Sequence, residues 1–280
     1  RPAAHPAAIA GTMLRVPLPQ VAIGEMCRLQ QGAGDDTDAG HGTVVALEQG
    51  MASIGLLRDS AGLSPRCLVF PTGAPARVDA SPRMLGSVLD GEGREVERLA
   101  PAQGWGEVAC VVSRPAIDYR LRRMIDTPLC TGIRALDALL TCGEGQRVGI
   151  FAGAGAGKTT LSEMLLDNAE VDVAVVALIG ERGREVATLV ERMRQSPQAA
   201  RMIIVQATSD TAPAVRSQAA LVATTIAEYF RDQGNRVLLV MDSVTRYARA
   251  LRELALGAGE PPARRGFPAS VFEMLPRLLA

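Results

Sequence analysis

One stretch of the sequence decides the fold: residues 147–160 read RVGIFAGAGAGKTT. An apolar run, predicted as a strand over residues 147–151, is followed by a loop of small residues and a helix that begins at Lys158. Small residues let successive backbone N–H groups turn inward around a phosphate, and the start of a helix adds partial positive charge. The stretch therefore predicts a phosphate-binding loop between a strand and a helix.

The residues of this loop predict a site for ATP and Mg²⁺. The Lys158 ammonium is expected to reach the β- and γ-phosphates, and the Thr159 hydroxyl to bind Mg²⁺. Ala152 departs from the strict pattern, which has Gly there, but Gly153 and Gly155 keep the loop flexible. The predicted nucleotide-binding residues are Gly153, Ala154, Gly155, Ala156, Gly157, Lys158, Thr159 and Thr160.

Two carboxylates are predicted at the carboxyl edge of the same sheet. Asp242 follows the apolar run 236–241 and is the candidate for holding Mg²⁺ through water. Glu181 follows the apolar run 173–179 and is placed to orient and polarise the water that attacks the γ-phosphate. Glu185 is the alternative acid, although a solvated carboxylate is common in the first turn of a helix.

The remaining pattern predicts two domains. Residues 1–78 read as short strands broken by Gly and Pro, which indicates a small β-barrel or β-sandwich; its predicted strands include 12–16, 42–47, 51–57 and 67–70. A loop-rich passage is expected to about residue 125. Strands and helices then alternate, which predicts a parallel α/β sheet in the second domain, residues 79–280. Its predicted strands are 147–151, 173–179, 202–206 and 236–241; its helices are 158–169, 184–195, 213–232, 246–256 and one from 269.

Composition argues against several other classes of protein. The 280 residues carry 30 Lys plus Arg and 30 Asp plus Glu, and a neutral chain does not favour sequence-independent nucleic-acid binding. Five Cys without a Cys-x-x-Cys pair indicate neither a disulfide framework nor a zinc site, and point to a reducing cytosol. Of the 30 cations only Lys158 is a lysine. It stands where a compact ammonium suits a phosphate.

Several longer motifs resemble those of one family. They are VFPTG at 69–73, LGSVLDG at 85–91, LLTCGEGQR at 139–147, LIGERGREV at 178–186, AEYFRDQG at 227–234, MDSVTR at 241–246 and GEPPARRG at 259–266. As a set they are similar to the type III secretion system ATPases. Close relatives of that family are the flagellar export ATPase and the catalytic β subunit of rotary F-type ATP synthases. The resemblance covers essentially the whole chain.

The resemblance implies a six-stranded β-barrel followed by a RecA-like ATPase domain. It implies a homohexameric ring on the cytoplasmic face of the bacterial inner membrane, with stator and stalk proteins as partners and no nucleic acid. The implied activity is ATP hydrolysis that releases export substrates from their chaperones and powers protein export.

Position by position, the resemblance agrees with the roles proposed above for Lys158, Thr159, Glu181 and Asp242. It adds that Arg182 contacts phosphate or braces the catalytic glutamate.

The resemblance also leaves alternatives open. Proteins of this family continue past the position of Ala280 with an adenine pocket, an arginine finger for the neighbouring subunit and a helical domain. The 280-residue chain alone is therefore expected to be weakly active. A nucleotide-binding scaffold of low activity, a rotary-ATPase catalytic subunit and a Rho-like nucleic-acid motor are the other hypotheses. The last is disfavoured because Phe70 is the only aromatic residue in positions 1–78.

Overall fold

The computed structural model describes residues 2–32, 35–104, 106–112, 114, 117–153 and 155–279. The strands are β1 Ala8–Ala10, β2 Met13–Val16, β3 Glu25–Gly32, β4 Asp35–Glu48, β5 Met51–Leu56, β6 Leu68–Pro75, β7 Arg77–Ala80, β8 Ser87–Leu89, β9 Glu95–Arg98, β10 Val108–Val111, β11 Pro128–Leu129, β12 Cys142–Gly143, β13 Val173–Glu181, β14 Met202–Thr208 and β15 Val237–Asp242. The helices are α1 Arg134–Leu139, α2 Lys158–Asn168, α3 Gly183–Gln195, α4 Pro213–Asp232, α5 Val244–Gly257 and α6 Ala269–Leu279. Within the described ranges, none of these helices combines the length and apolar character that a bilayer crossing requires.

Six antiparallel strands form the N-terminal part, in the order β1-β2-β5-β4-β3-β6. Along β3, Glu25, Cys27 and Leu29 are buried and the residues between them are half-buried, as expected when one face of a strand meets a core. Backbone hydrogen bonds of 2.9 and 3.1 Å join Ala4 to Val69 of β6. They bring the two edges of the sheet together, which confirms the predicted β-barrel.

A five-stranded sheet forms the second part, in the order β15-β13-β14-β8-β9. Its strands are parallel except β9, which pairs antiparallel with β8. The central strand β13 is buried on both faces: Val175 belongs to the core shared with α4, and Val176 to the core shared with α2 and α3. Burial on both faces is typical of parallel sheets covered by helices. The predicted α/β domain is therefore confirmed.

The predicted loop up to residue 125 is wrong in part, because this passage contains strands. β8 pairs with β14 inside the parallel sheet, and β7 pairs with β10. Val88 and Leu89 of β8 are buried, so tertiary packing stabilises a segment of three residues. A segment that short has no measurable hydrophobic period, which is why the sequence gives no signal for it.

The predicted strand over residues 147–151 is also wrong, because the structure assigns no strand there. Val148, Ile150 and Phe151 have exposed fractions of 59%, 37% and 97%. A strand is stable where neighbouring elements both pair with its backbone and cover its side chains. The described elements leave these three side chains exposed in part or almost fully, so the apolar pattern alone does not produce a strand.

The barrel contacts the α/β part through a small apolar cluster. Met13 and Leu57 from the barrel side pack with Ala214 of α4 and Leu254 of α5. α5 begins two residues after Asp242, so it runs from the edge of the parallel sheet to the barrel. The division of the chain at residues 78 and 79 stays a prediction.

Candidate functional site

The predicted phosphate loop leads directly into α2. Gly155 and Gly157 have φ angles of 75° and 87°, a left-handed conformation that residues with a Cβ rarely adopt. The loop is exposed, and a Cβ added to Gly153, Gly155 or Gly157 would meet no atom within 4 Å. The space beside the loop is therefore open to a ligand. Ala154, also predicted to bind nucleotide, lies outside the described residues.

The first turn of α2 suits an anion. It carries no acidic side chain, and it contains Lys158, Thr159 and Thr160, of which both threonines are exposed. The first N–H groups of a helix have no partner within the helix, and the helix dipole places partial positive charge there. The observed turn therefore has the donors that a phosphate group requires.

Lys158 and Asp242 meet although 84 residues separate them. The Lys158 Nζ lies 2.6 Å from Asp242 Oδ1, and Asp242 is the last residue of β15. The side chains are 36% and 19% exposed, so the pair is accessible from solvent. The donor set fits MgATP, because an ammonium binds phosphate and the Thr159 hydroxyl and Asp242 carboxylate are hard oxygen ligands.

Glu181 is the last residue of β13, the strand beside β15. It is only 8% exposed, and its carboxylate forms an ion pair with the Arg246 guanidinium of α5. Gly180 has a φ of 67°, and a Cβ there would lie 3.1 Å from Arg246 Cδ. A glycine at this position thus allows the arginine to approach the strand. The backbone carbonyl of Glu181 accepts a hydrogen bond of 2.9 Å from Ser209 N.

Arg246, rather than Arg182, is the arginine beside Glu181. The Ser243 hydroxyl accepts a hydrogen bond from Arg246 N at the start of α5. Burial, with the nearby positive charge of Arg249, lowers the pKa of the Arg246 guanidinium below its ordinary value, yet an arginine stays charged in proteins.

The Arg182 side chain is 80% exposed and pairs with Glu185 at 3.1 Å. No local pattern could predict the Glu181–Arg246 pair, because its members are far apart in sequence.

A cavity of about 430 Å³ lies away from this site, between the barrel and the start of α4. Its lining includes Asp59, Asp90, Glu92 and Asp210, with Arg58 as a positive residue. Carboxylates repel the phosphates of a nucleotide. The charge of this cavity therefore does not suit ATP, whereas the phosphate loop does.

A phosphate loop and two strand-end carboxylates on a parallel sheet define a nucleotide-binding domain, here preceded by a β-barrel. Comparison with known proteins agrees with this class. The chain belongs to the ATP synthase alpha/beta family, because the family model for the nucleotide-binding domain matches residues 132–280.

The chain is similar to proteins named as type 3 secretion system ATPases and as flagellum-specific ATP synthases. The chain is 47% identical to the SPI-1 type 3 secretion system ATPase of Salmonella typhi, over 99% of this chain and 64% of that protein. It is 40% identical to the flagellum-specific ATP synthase of Treponema pallidum, over 98% of this chain and 61% of that protein. The solved structure of the assembled ATPase EscN from the type III secretion system of enteropathogenic E. coli matches with a TM-score of 0.87 at 40% identity, over 99% of this chain and 65% of that one. The chain thus spans less than two thirds of the length of these relatives.

Proposed function

We propose that the chain binds ATP with Mg²⁺ and hydrolyses ATP to power protein export through a type III secretion system. The observation that carries the proposal is the 2.6 Å contact between Lys158 and Asp242. It brings the phosphate loop to the sheet edge where β13 ends in Glu181. The relatives named as type 3 secretion system ATPases support the export role.

Each residue of the site has a role in this proposal. The backbone N–H groups of residues 153–157, with the Lys158 ammonium, bind the phosphates. Thr159 and, through water, Asp242 hold Mg²⁺, which neutralises phosphate charge when bound. The Glu181 carboxylate orients the attacking water and polarises it, and Arg246 holds that carboxylate in place. Arg182, at the start of α3, is a further candidate for contact with phosphate.

The proposal extends to assembly and location. EscN has been solved as an assembled ATPase and in complex with its central stalk EscO, which supports self-association and a stalk partner. We propose a homohexamer on the cytoplasmic face of the bacterial inner membrane, with stator proteins, export substrates and their chaperones as further partners. The proposed domains are the β-barrel over 1–78 and the RecA-like domain over 79–280.

We expect MgATP to stabilise the chain against heat, because a ligand that binds only the folded state shifts the unfolding equilibrium. At 100 times its Kd, the expected gain is about 2.7 kcal/mol, which corresponds to a rise in Tm of about 5 °C. Scanning fluorimetry with MgATP, against Mg²⁺ alone, measures this shift. An unchanged Tm contradicts nucleotide binding, while a raised Tm with background turnover in the full-length protein favours the scaffold alternative.

A further inference from the structure

The phosphate-loop helix α2 buries little apolar surface. The structure describes all eleven of its residues, and only Leu166 is buried. In α4, by contrast, twelve residues are buried. Apolar packing is what positions most helices in proteins, so α2 depends on other contacts for its position.

Polar contacts from α3 and the segment after it hold the C-terminal half of α2. Arg192 of α3 forms ion pairs with Glu163 and Asp167, the second with an N–O distance of 3.4 Å. The Ser196 hydroxyl donates a hydrogen bond of 2.9 Å to the other carboxylate oxygen of Asp167. These contacts join two helices across the same face of the sheet.

Arg201 binds the end of the same helix. Its guanidinium donates hydrogen bonds to the carbonyl oxygens of Val171, Ala169 and Leu166, at 2.6, 3.1 and 3.3 Å. The last carbonyl groups of a helix have no partner within the helix, and a cation there also complements the helix dipole. Arg201 therefore binds one of the last carbonyl groups of α2, that of Leu166, together with two carbonyl groups of the segment that follows the helix.

We propose that Arg192 and Arg201 are positioning residues that fix α2 at its C-terminal half and thereby place Lys158 at the nucleotide site. At about 1.5 Å per residue, Asp167 lies about 13 Å from Lys158 along the helix, so a tilt of about 5° moves Lys158 by about 1 Å. Displacements of this size can disable a binding or catalytic group. Because α3 begins two residues after Glu181, Arg192 also fixes Lys158 relative to that carboxylate. The inference rests on the proposed function for its ligand.

Arg192→Met tests the proposal, with Arg194→Met as a matched control. The two arginines lie in the same helix and their side chains are 44% and 43% exposed. Arg194, however, pairs with Glu97 of β9 and not with a residue of α2. The Kd for MgATP is measured by calorimetry at a temperature where both variants are folded. Amide hydrogen exchange of residues 161–165, the first amides of α2 that bond back along the helix, is measured without nucleotide.

We expect Arg192→Met to weaken MgATP binding about fivefold and to speed amide exchange at the start of α2. Arg194→Met should change the Kd by less than about twofold and leave that exchange unchanged, even if both variants lose similar thermal stability. The double variant Arg192→Met/Glu163→Gln should lose less MgATP affinity than the sum of the losses in the two single variants. Both substitutions remove the same contact, the one between Arg192 and Glu163.

Equal Kd values for the two variants, or unchanged α2 exchange in Arg192→Met, would overturn the positioning role. If the unsubstituted chain itself binds no MgATP, the proposed function fails instead. The exchange measurement then decides on its own whether Arg192 holds α2, because it needs no nucleotide.

Discussion

Replacing Lys158 with Ala is expected to weaken MgATP binding by about 100-fold, because a charge-assisted contact to phosphate is lost. The change also removes the partner that lies 2.6 Å from the Asp242 carboxylate. That carboxylate then presents uncompensated negative charge to the phosphates. Calorimetry measures the loss of affinity in this chain, and phosphate release measures turnover in the full-length protein, where it should fall to background.

Arg236→Ala is the matched control for Lys158→Ala. It removes one positive charge just before β15, at the end of the strand far from Asp242. There the Arg236 Nε lies 3.7 Å from Asp172 Oδ2. Its MgATP affinity should match that of the unsubstituted chain. Lys158→Arg keeps the charge but replaces a compact ammonium with a planar fork, so it should restore binding only in part. Equal affinities for Lys158→Ala and Arg236→Ala would contradict the assigned role of Lys158.

Glu181→Gln is expected to separate binding from turnover. The amide keeps the size of the side chain but loses the charge that orients and polarises water, so turnover should fall about 10³-fold. The Kd for MgATP should change little, because no phosphate contact is assigned to Glu181. Single-turnover phosphate release in the full-length protein, together with calorimetry, measures the two effects separately.

Glu185→Gln is the comparison that decides between the two candidate acids. Glu185 lies in the first turn of α3 and pairs with the exposed Arg182, whereas Glu181 is buried beside Arg246. We expect Glu185→Gln to retain turnover within about twofold. Loss of turnover in Glu185→Gln, with turnover retained in Glu181→Gln, would exchange the assigned roles.

The elements that the sequence predicts well have signals contained within themselves. The helix predicted over residues 213–232 has those bounds in the structure, because Pro213 suits a first helical turn and the apolar residues that follow face the core. The strand predicted at 173–179 forms and extends to Glu181, because a continuous apolar run is typical of a strand buried on both faces. The placement of Glu181 at a strand end follows from this run. The placement of Asp242 follows in the same way from the apolar run 236–241, which forms β15.

The features that the sequence does not predict depend on partners far along the chain. Residues 147–151 have the composition of a strand, but strand formation requires neighbours that no local pattern reveals. β8 has the opposite property, since its three residues have no pattern and form a strand because β14 lies beside them. The contacts of Arg192 with Glu163 and Asp167 also require knowledge of how α2 and α3 pack.

The lysine content of the chain has a practical consequence for the site. Lys158 carries the only side-chain amine in 280 residues, and that amine is partly exposed beside Asp242. A lysine-specific protease therefore has one peptide bond to cut, at the start of the phosphate-loop helix, and an acylating reagent has one side chain to modify. In most proteins the modification of lysine side chains samples the whole surface. In this chain it measures whether the single site at Lys158 is occupied.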